Sequence, residues 1–308
     1  MNKFIQKLSY LSISVIIYLI ALQMLISWRI EGKSVNGQDN LEQCANVNAA
    51  LVFIGNSRCI TSFMPEVFSK KKISAINLGL HGHPSLNFIE VRINDYLTRN
   101  KRLPKLICFT LDVFSEPSSK HSILMKDRFA RYAFIPKSND ISMLDYFEFN
   151  FAERYIPAFS MLKYRKIWDA LLLNNQSQWL EIGMESESIS ICGTENNLPT
   201  QDLLKIYRPQ HQDEKLVKDL KILKNKYQKL GVKMVAVQVP VYKSIYNQRF
   251  LATHSICQKA GIPLLDLAIP QYNSECSLFK DLNHLNTNGA SKISDSLAKF
   301  ILAKKILN

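Results

Sequence analysis

No two of the six cysteines, at positions 44, 59, 108, 192, 257 and 276, stand at Cys-x-x-Cys spacing, which excludes a metal or dithiol redox site of that pattern. No Gly-rich phosphate loop follows the first apolar run, so nucleotide binding of that kind has no support. Nucleic acid is the weakest of the anionic partners, because there is no compact Lys/Arg module with interleaved aromatics, no zinc-finger spacing and no RNA-binding signature. Acidic residues are few beside basic ones, 26 against 39, for a formal charge of +13. That excess favours anionic partners such as membrane headgroups or acidic glycans, although scattered lysines also serve simply to solubilise helices. The rest of the composition is that of a globular protein, and 308 residues suffice for one large α/β domain or two small ones. Cys108 lies inside an apolar run and reads as a core thiol. Disulfides among the other cysteines are open to an exported domain, with the pairing unassigned.

The first long feature is Tyr10–Trp28, roughly nineteen uncharged residues, about the length of a helix that crosses a bilayer. Lys3 and Lys7 before it would suit a signal peptide, but the run is long for one and ends in Ile-Ser-Trp-Arg rather than at a small-residue cleavage site. The reading is therefore an uncleaved anchor over 1–30 with Trp28 at the interface, and a slight positive-inside bias that exports the remainder of the chain. Residues 31–48 are polar, with Gly32, Asn36 and Gly37, and read as a tether. The main domain is expected over 49–308.

Within that domain the apolar runs Leu51–Ile54, Ile73–Leu78, Leu106–Leu111, Lys233–Val239 and Ile262–Leu267 read as five strands. Helical spacing is found over Leu86–Thr98, Asp213–Leu230, Phe250–Ala260 and Ser291–Leu307. Strand and helix alternate, which implies a parallel sheet with right-handed crossovers. From about 114 to 208 the rhythm is lost, apart from helical patches at Asp145–Phe151 and Ala158–Leu173 and a loop over Glu185–Thr200. This reads as an insertion, either a cover for the active edge or a structural cap.

The first run stops at Gly55-Asn56 and delivers Ser57 to a strand's carboxyl end, the edge where α/β sheets carry their sites. A serine there is ordinarily a cap or turn residue. Two hundred residues on, Asp281 and His284 stand three apart between the last strand and the last helix. Serine, aspartate and histidine in that order are the parts of a hydrolytic triad, in which the histidine takes the serine proton and the carboxylate fixes its tautomer. His81 and His83 flank a turn glycine, His121 and His211 lie in polar loop sequence, and His254 lies within an expected helix. Only His284 has an acidic partner at short spacing after a strand.

Together these segments resemble the SGNH, or GDSL-like, hydrolase superfamily, in particular its membrane-anchored members that act in polysaccharide and cell-envelope modification. Ile54-Gly55-Asn56-Ser57-Arg58 is similar to the first block, Asn77-Leu78-Gly79 to the second, and Asp281-Leu-Asn-His284-Leu-Asn286 to the last. The resemblance implies a flavodoxin-like three-layer α/β/α sandwich with a five-stranded parallel sheet. It further implies catalysis by Ser57, His284 and Asp281, an oxyanion hole from the Ser57 and Gly79 amides, and neither cofactor nor metal. The activity it implies is that of an O-acyl esterase or acyltransferase on an acylated envelope glycan, exported and membrane-held, with a multi-pass membrane acyltransferase as partner. One block departs from the family pattern. Where Gly-x-Asn-Asp is usual, strand three ends Thr110-Leu111-Asp112-Val113, so the asparagine that donates to the oxyanion is missing. Another group such as Asn56 supplies the donor, or Asp112 is protonated or structural, or the chain is a non-catalytic binding or assembly factor.

Overall fold

A computed structural model describes residues 2–30, 44–79, 85–112, 115, 117–118, 188–193, 210–242 and 247–307. The helical patches expected at Asp145–Phe151 and Ala158–Leu173 lie outside these residues, as does most of the 114–208 insertion. The chain divides into two units, Met1–Gln43 with Leu124–Glu181, and Cys44–Ile123 with Ile182–Asn308. In the first, α1 runs Asn2–Ile30, and its side chains are described as far as Tyr18 and at Ala21. Among the described residues no helix is long and apolar enough to cross a membrane.

The second unit holds the sheet. Its strands are β1 (Leu51–Ile54), β2 (Ala75–Asn77), β3 (Leu106–Thr110), β4 (Lys233–Gln238) and β5 (Leu264–Asp266), all parallel in the order β2-β1-β3-β4-β5. This is the doubly wound order in which β1 and β3 lie side by side while their following connections diverge, leaving a crevice at the carboxyl edge. β1 and β3 are buried at every position, as continuous apolar runs in a sheet covered on both faces should be. β2 and β5 are shorter than their apolar runs suggest, three residues each, because they are the outer strands and pair on one side only.

The helices are α2 (Ser57–Ser62), α3 (Pro65–Ser69), α4 (Leu86–Arg99), α5 (Gln210–Lys229), α6 (Asn247–Ala260), α7 (Pro270–Asn273) and α8 (Thr287–Ala303), with a 3₁₀ turn at Cys276–Leu278. Alternation along the strands splits the core. Leu51, Phe53, Cys108 and Val237 face Phe63 and Phe68 beside α2 and α3, and Ile293, Leu297 and Ile301 of α8. Phe53 stacks on Phe63 with ring centroids 4.4 Å apart. On the other face, α5 packs on β4, α4 and α6, with Leu216, Leu220, Leu223 and Tyr227 buried at helical spacing. Gly231 closes α5 at φ 76° and returns the Val232 N–H to the Tyr227 carbonyl, the left-handed cap that glycine takes without a Cβ penalty.

The last helix is held at its start by Asn286. Its Oδ1 accepts from the Gly289 N–H at 3.0 Å, while its Nδ2 donates to the carbonyls of Ser277 and Ile189. Segment 188–193 is strapped onto the 3₁₀ turn by the Cys192–Cys276 disulfide, and the Ile191 N–H bonds the Phe279 carbonyl at 3.1 Å. Gly289 is packed so closely against the 3₁₀ turn that a Cβ there would lie 2.1 Å from the Leu278 carbonyl oxygen. Gly289→Ala is therefore expected to cost about 1–3 kcal/mol by overpacking, read as a lower urea midpoint with unchanged slope.

Candidate active site

The end of β1 is built so that one residue emerges. Gly55 lets β1 and β3 approach, since a Cβ on it would meet Thr110 Cβ at 2.8 Å. Asn56 then caps α2, its Oδ1 accepting from the Arg58 N–H at 3.0 Å. Ser57 is thus the first residue of a helix rather than part of an open turn, and every other residue of α2 is buried. Cys59, two positions on, is no competing nucleophile: burial pushes its thiol up to about 12.

The opposite side of the site is a short closed loop. Phe279 bridges to Leu285, and the Lys280 N–H bonds the His284 carbonyl, so residues 280–284 form a tight excursion. The loop is tied to the exit of β4, because the Tyr242 N–H donates to the Leu282 carbonyl at 3.1 Å. Inside the loop Asp281 Oδ1 accepts from the backbone N–H groups of Asn283 and His284, at 2.8 and 2.9 Å. His284 Nδ1 lies 2.9 Å from Asp281 Oδ2, and His284 Nε2 lies 2.9 Å from Ser57 Oγ. With Nδ1 against a carboxylate, its proton resides there and Nε2 is left to accept from the serine hydroxyl. Ser57, His284 and Asp281 are thereby brought into one hydrogen-bonded chain, the arrangement in which an imidazole can take the proton of an attacking hydroxyl.

Burial alone would push the Asp281 carboxyl up. The hydrogen bond and charge of His284 and the two backbone N–H groups outweigh it and hold the group below the usual carboxylate range.

Asp112, where the third block departs from the family pattern, sits at the carboxyl end of β3 in a salt bridge. Arg58 Nη1 donates to Asp112 Oδ2 at 3.0 Å, with the two side chains 2% and 0% exposed. Arg58 Nη2 donates to the carbonyls of Val239 and Pro240 after β4. Asn56 Nδ2 donates to both Asp112 oxygens, at 3.2 and 3.0 Å. The residues on either side of Ser57 are therefore fastened to one buried carboxylate. The Asn56 amide, expected as a possible oxyanion donor, here donates to Asp112. Asp112 and Arg58 form the mount beneath the serine.

The Gly79 amide, expected at the oxyanion hole, is bonded within the protein as well. Its N–H donates to Asn77 Oδ1 at 3.0 Å, because the Asn77 side chain folds back over the end of β2 while its Nδ2 holds the Cys59 and Phe63 carbonyls. Of the two amides expected to hold an oxyanion, the Ser57 N–H is the one with no partner among the described residues. Asn77 and Asn286 lie within the second and last motif blocks, and what the motifs do not tell is their work as supports: Asn77 takes the Gly79 N–H, and Asn286 caps the last helix.

Comparison with known proteins adds little to this geometry. No family model and no curated protein matches the chain. Among solved structures, a protein assigned to the lipolytic G-D-S-L family from Desulfitobacterium hafniense DCB-2 is 11% identical, covering 81% of this chain and 98% of its own, with a TM-score of 0.40. The psychrotrophic esterase EstA from a Pseudoalteromonas species is 10% identical over 84% of this chain and 100% of its own, with a TM-score of 0.41. An acetyl xylan esterase, AlAXEase, is 11% identical over 82% of this chain and 99% of its own, with a TM-score of 0.40.

Two outcomes test the site. Removing one member of the buried pair leaves its partner charged in the core, so Asp112→Ala is expected to cost about 3–5 kcal/mol in chemical unfolding. The joint replacement Arg58→Met with Asp112→Leu should recover most of that loss, and a double-mutant cycle checks it. The second outcome follows from Asp281. A carboxyl lowered on folding lends stability that is present above its unfolded value, about pH 4, and is lost as pH falls through its lower folded value. Asp281→Asn should flatten that part of the acid-unfolding curve and leave the neutral part parallel to wild type.

Proposed function

We propose that the chain is an SGNH-type serine O-acyl esterase or acyltransferase that acts on an acylated cell-envelope glycan and is held at a membrane by its amino-terminal helix. The convergence of Ser57, His284 and Asp281 at the crevice between β1 and β3 carries this reading. Ser57 Oγ attacks the acyl carbonyl and forms the new ester bond while its proton passes to His284 Nε2. The tetrahedral intermediate then collapses, the bond to the sugar oxygen breaks, and His284 returns the proton to that oxygen. Water or an acceptor hydroxyl repeats the two steps on the acyl-enzyme, giving hydrolysis or transfer. Asp281 holds the imidazole in the required tautomer, and the Ser57 N–H faces the developing negative charge.

The anchored part rests on the uncharged stretch Tyr10–Trp28 and on α1 itself. Leu8, Tyr10, Leu11 and Ile13, spread around the helix, are all more than half exposed, and a helix apolar on every side calls for an apolar surrounding. The Cys192–Cys276 disulfide agrees with an exported domain in an oxidising compartment. The multi-pass acyltransferase partner is part of the same proposal and rests on the resemblance alone.

A second reading, a binding or assembly factor with an idle triad, is favoured by one observation: the Gly79 amide and the Asn56 side chain both donate within the protein. A fluorophosphonate probe separates the two. The esterase reading expects time-dependent labelling of Ser57, abolished by Ser57→Ala together with at least roughly a thousandfold loss of turnover on acetyl esters. Undiminished turnover in Ser57→Ala would sink the serine mechanism, and a correctly folded chain that resists the probe would favour the binding factor.

A further inference from the structure

All five strands start at one edge of the sheet, opposite Ser57, and the turns along that edge are rich in cations. The turn into β2 is Lys70-Lys71-Lys72, the turn into β3 carries Lys101, Arg102 and Lys105, and Lys304-Lys305 follow α8. The stretches 70–74, 99–105, 228–233, 258–263 and 303–307 contain no Asp or Glu. Lys71 reaches Asp295 of α8 at 3.0 Å, while Lys70, Lys72, Lys101 and Arg102 are exposed to solvent. Asp112, Asp266 and Asp281 stand at the other, carboxyl edge, Asp112 in its ion pair with Arg58.

Exposed leucines accompany these cations. Leu103 follows Lys101-Arg102 and is 46% exposed, Leu230 follows Lys229 and is 46% exposed, and Leu302 precedes Lys304-Lys305 and is 50% exposed. One pairing thus recurs on three separate elements of the same edge. A soluble polyanion would use the cations and leave the leucines in water. A lipid surface uses both, since the apolar tips enter the headgroup layer while the ammonium and guanidinium groups meet phosphate. A cavity of about 620 Å³ opens on this edge, with Lys224, Lys233, Lys304 and Lys305 around Met234, Leu264 and Phe300, a volume suited to a headgroup and its first methylenes. The chain also enters the unit here, through Cys44–Ala50 into β1.

From these features we infer that the amino edge of the sheet is a docking face for anionic phospholipid headgroups, which seats the domain on the bilayer with Ser57 on the side turned away from it. The inference rests on the membrane-held reading above and sharpens it. A site facing away from the bilayer serves ester groups on a polymer beyond the membrane surface rather than acyl chains within it.

Hydrogen–deuterium exchange of the full chain in nanodiscs tests this. With phosphatidylcholine plus phosphatidylglycerol, amides of 101–105, 229–231 and 302–305 should exchange severalfold more slowly than in phosphatidylcholine alone, and about 0.5 M salt should remove the difference. The variant Lys101→Glu, Arg102→Glu, Leu103→Ser should lose the protection and keep its Ser57 labelling. The salt titration of the unaltered chain gives the same readout should that variant misfold. Equal exchange in both lipids would overturn the docking face, as would equal protection by soluble heparin, which would point to a polyanion instead. Ser57 that stays unlabelled beside a protected edge would refute the esterase reading and leave the docking face standing.

Discussion

An arginine and an aspartate that are 2% and 0% exposed have each given up water at a cost of several kcal/mol, and only close mutual contact with further hydrogen bonds offsets it. Arg58 and Asp112 meet that condition by gathering the ends of three strands: Asn56 and Arg58 follow β1, Asp112 follows β3, and Val239 and Pro240 follow β4. The crevice between β1 and β3 is a general property of this strand order. What the ion pair adds is that the lip of the crevice cannot shift without uncovering a charge. Ser57 stands between the two residues that touch the carboxylate, so its hydroxyl has a fixed origin from which His284 can be met at 2.9 Å.

The second half of the site is held by different means. The Asp281–His284 loop carries no buried charge pair of its own. It relies on backbone closure, on the Asn286 amide that ties α8 to the 3₁₀ turn, and on the strap 188–193 with its disulfide. Asp281 remains 46% exposed and His284 25% exposed, so this half faces solvent where substrate must approach. The serine is thus rigidly mounted while the histidine and aspartate opposite it face solvent.

The parts legible in the sequence were those encoded locally. Val52, Phe53, Ile107 and Phe109 announce buried parallel strands because a sheet covered on both faces favours near-continuous apolar runs. Parallel pairing follows from alternating elements and the handedness of their crossovers. Ser57, Asp281 and His284 could be singled out because each follows a strand in a short recognisable context. Long-range pairings were not legible. That Asp112 is a counter-ion to Arg58, that Asn56 points at it, and that Cys192 meets Cys276 all depend on contacts 54 to 84 residues apart. The Gly79 amide illustrates a different gap, because its direction is set by the rotamer of Asn77, two residues away, which no periodicity encodes.

Ser57 and His284 are separated by 227 residues, and the helix after His284 packs back on the one that begins with Ser57. Ser294 makes that junction, accepting from the Met64 N–H and donating to the Ser62 carbonyl. Contacts so distant along the chain form late in folding, since loop-closure entropy must be overcome before they stabilise anything. A ribosome therefore releases the serine and its mount long before the base exists. The hydrogen-bonded chain from Ser57 to Asp281 is complete only after the final helix has docked, so a half-made chain holds a serine without its histidine.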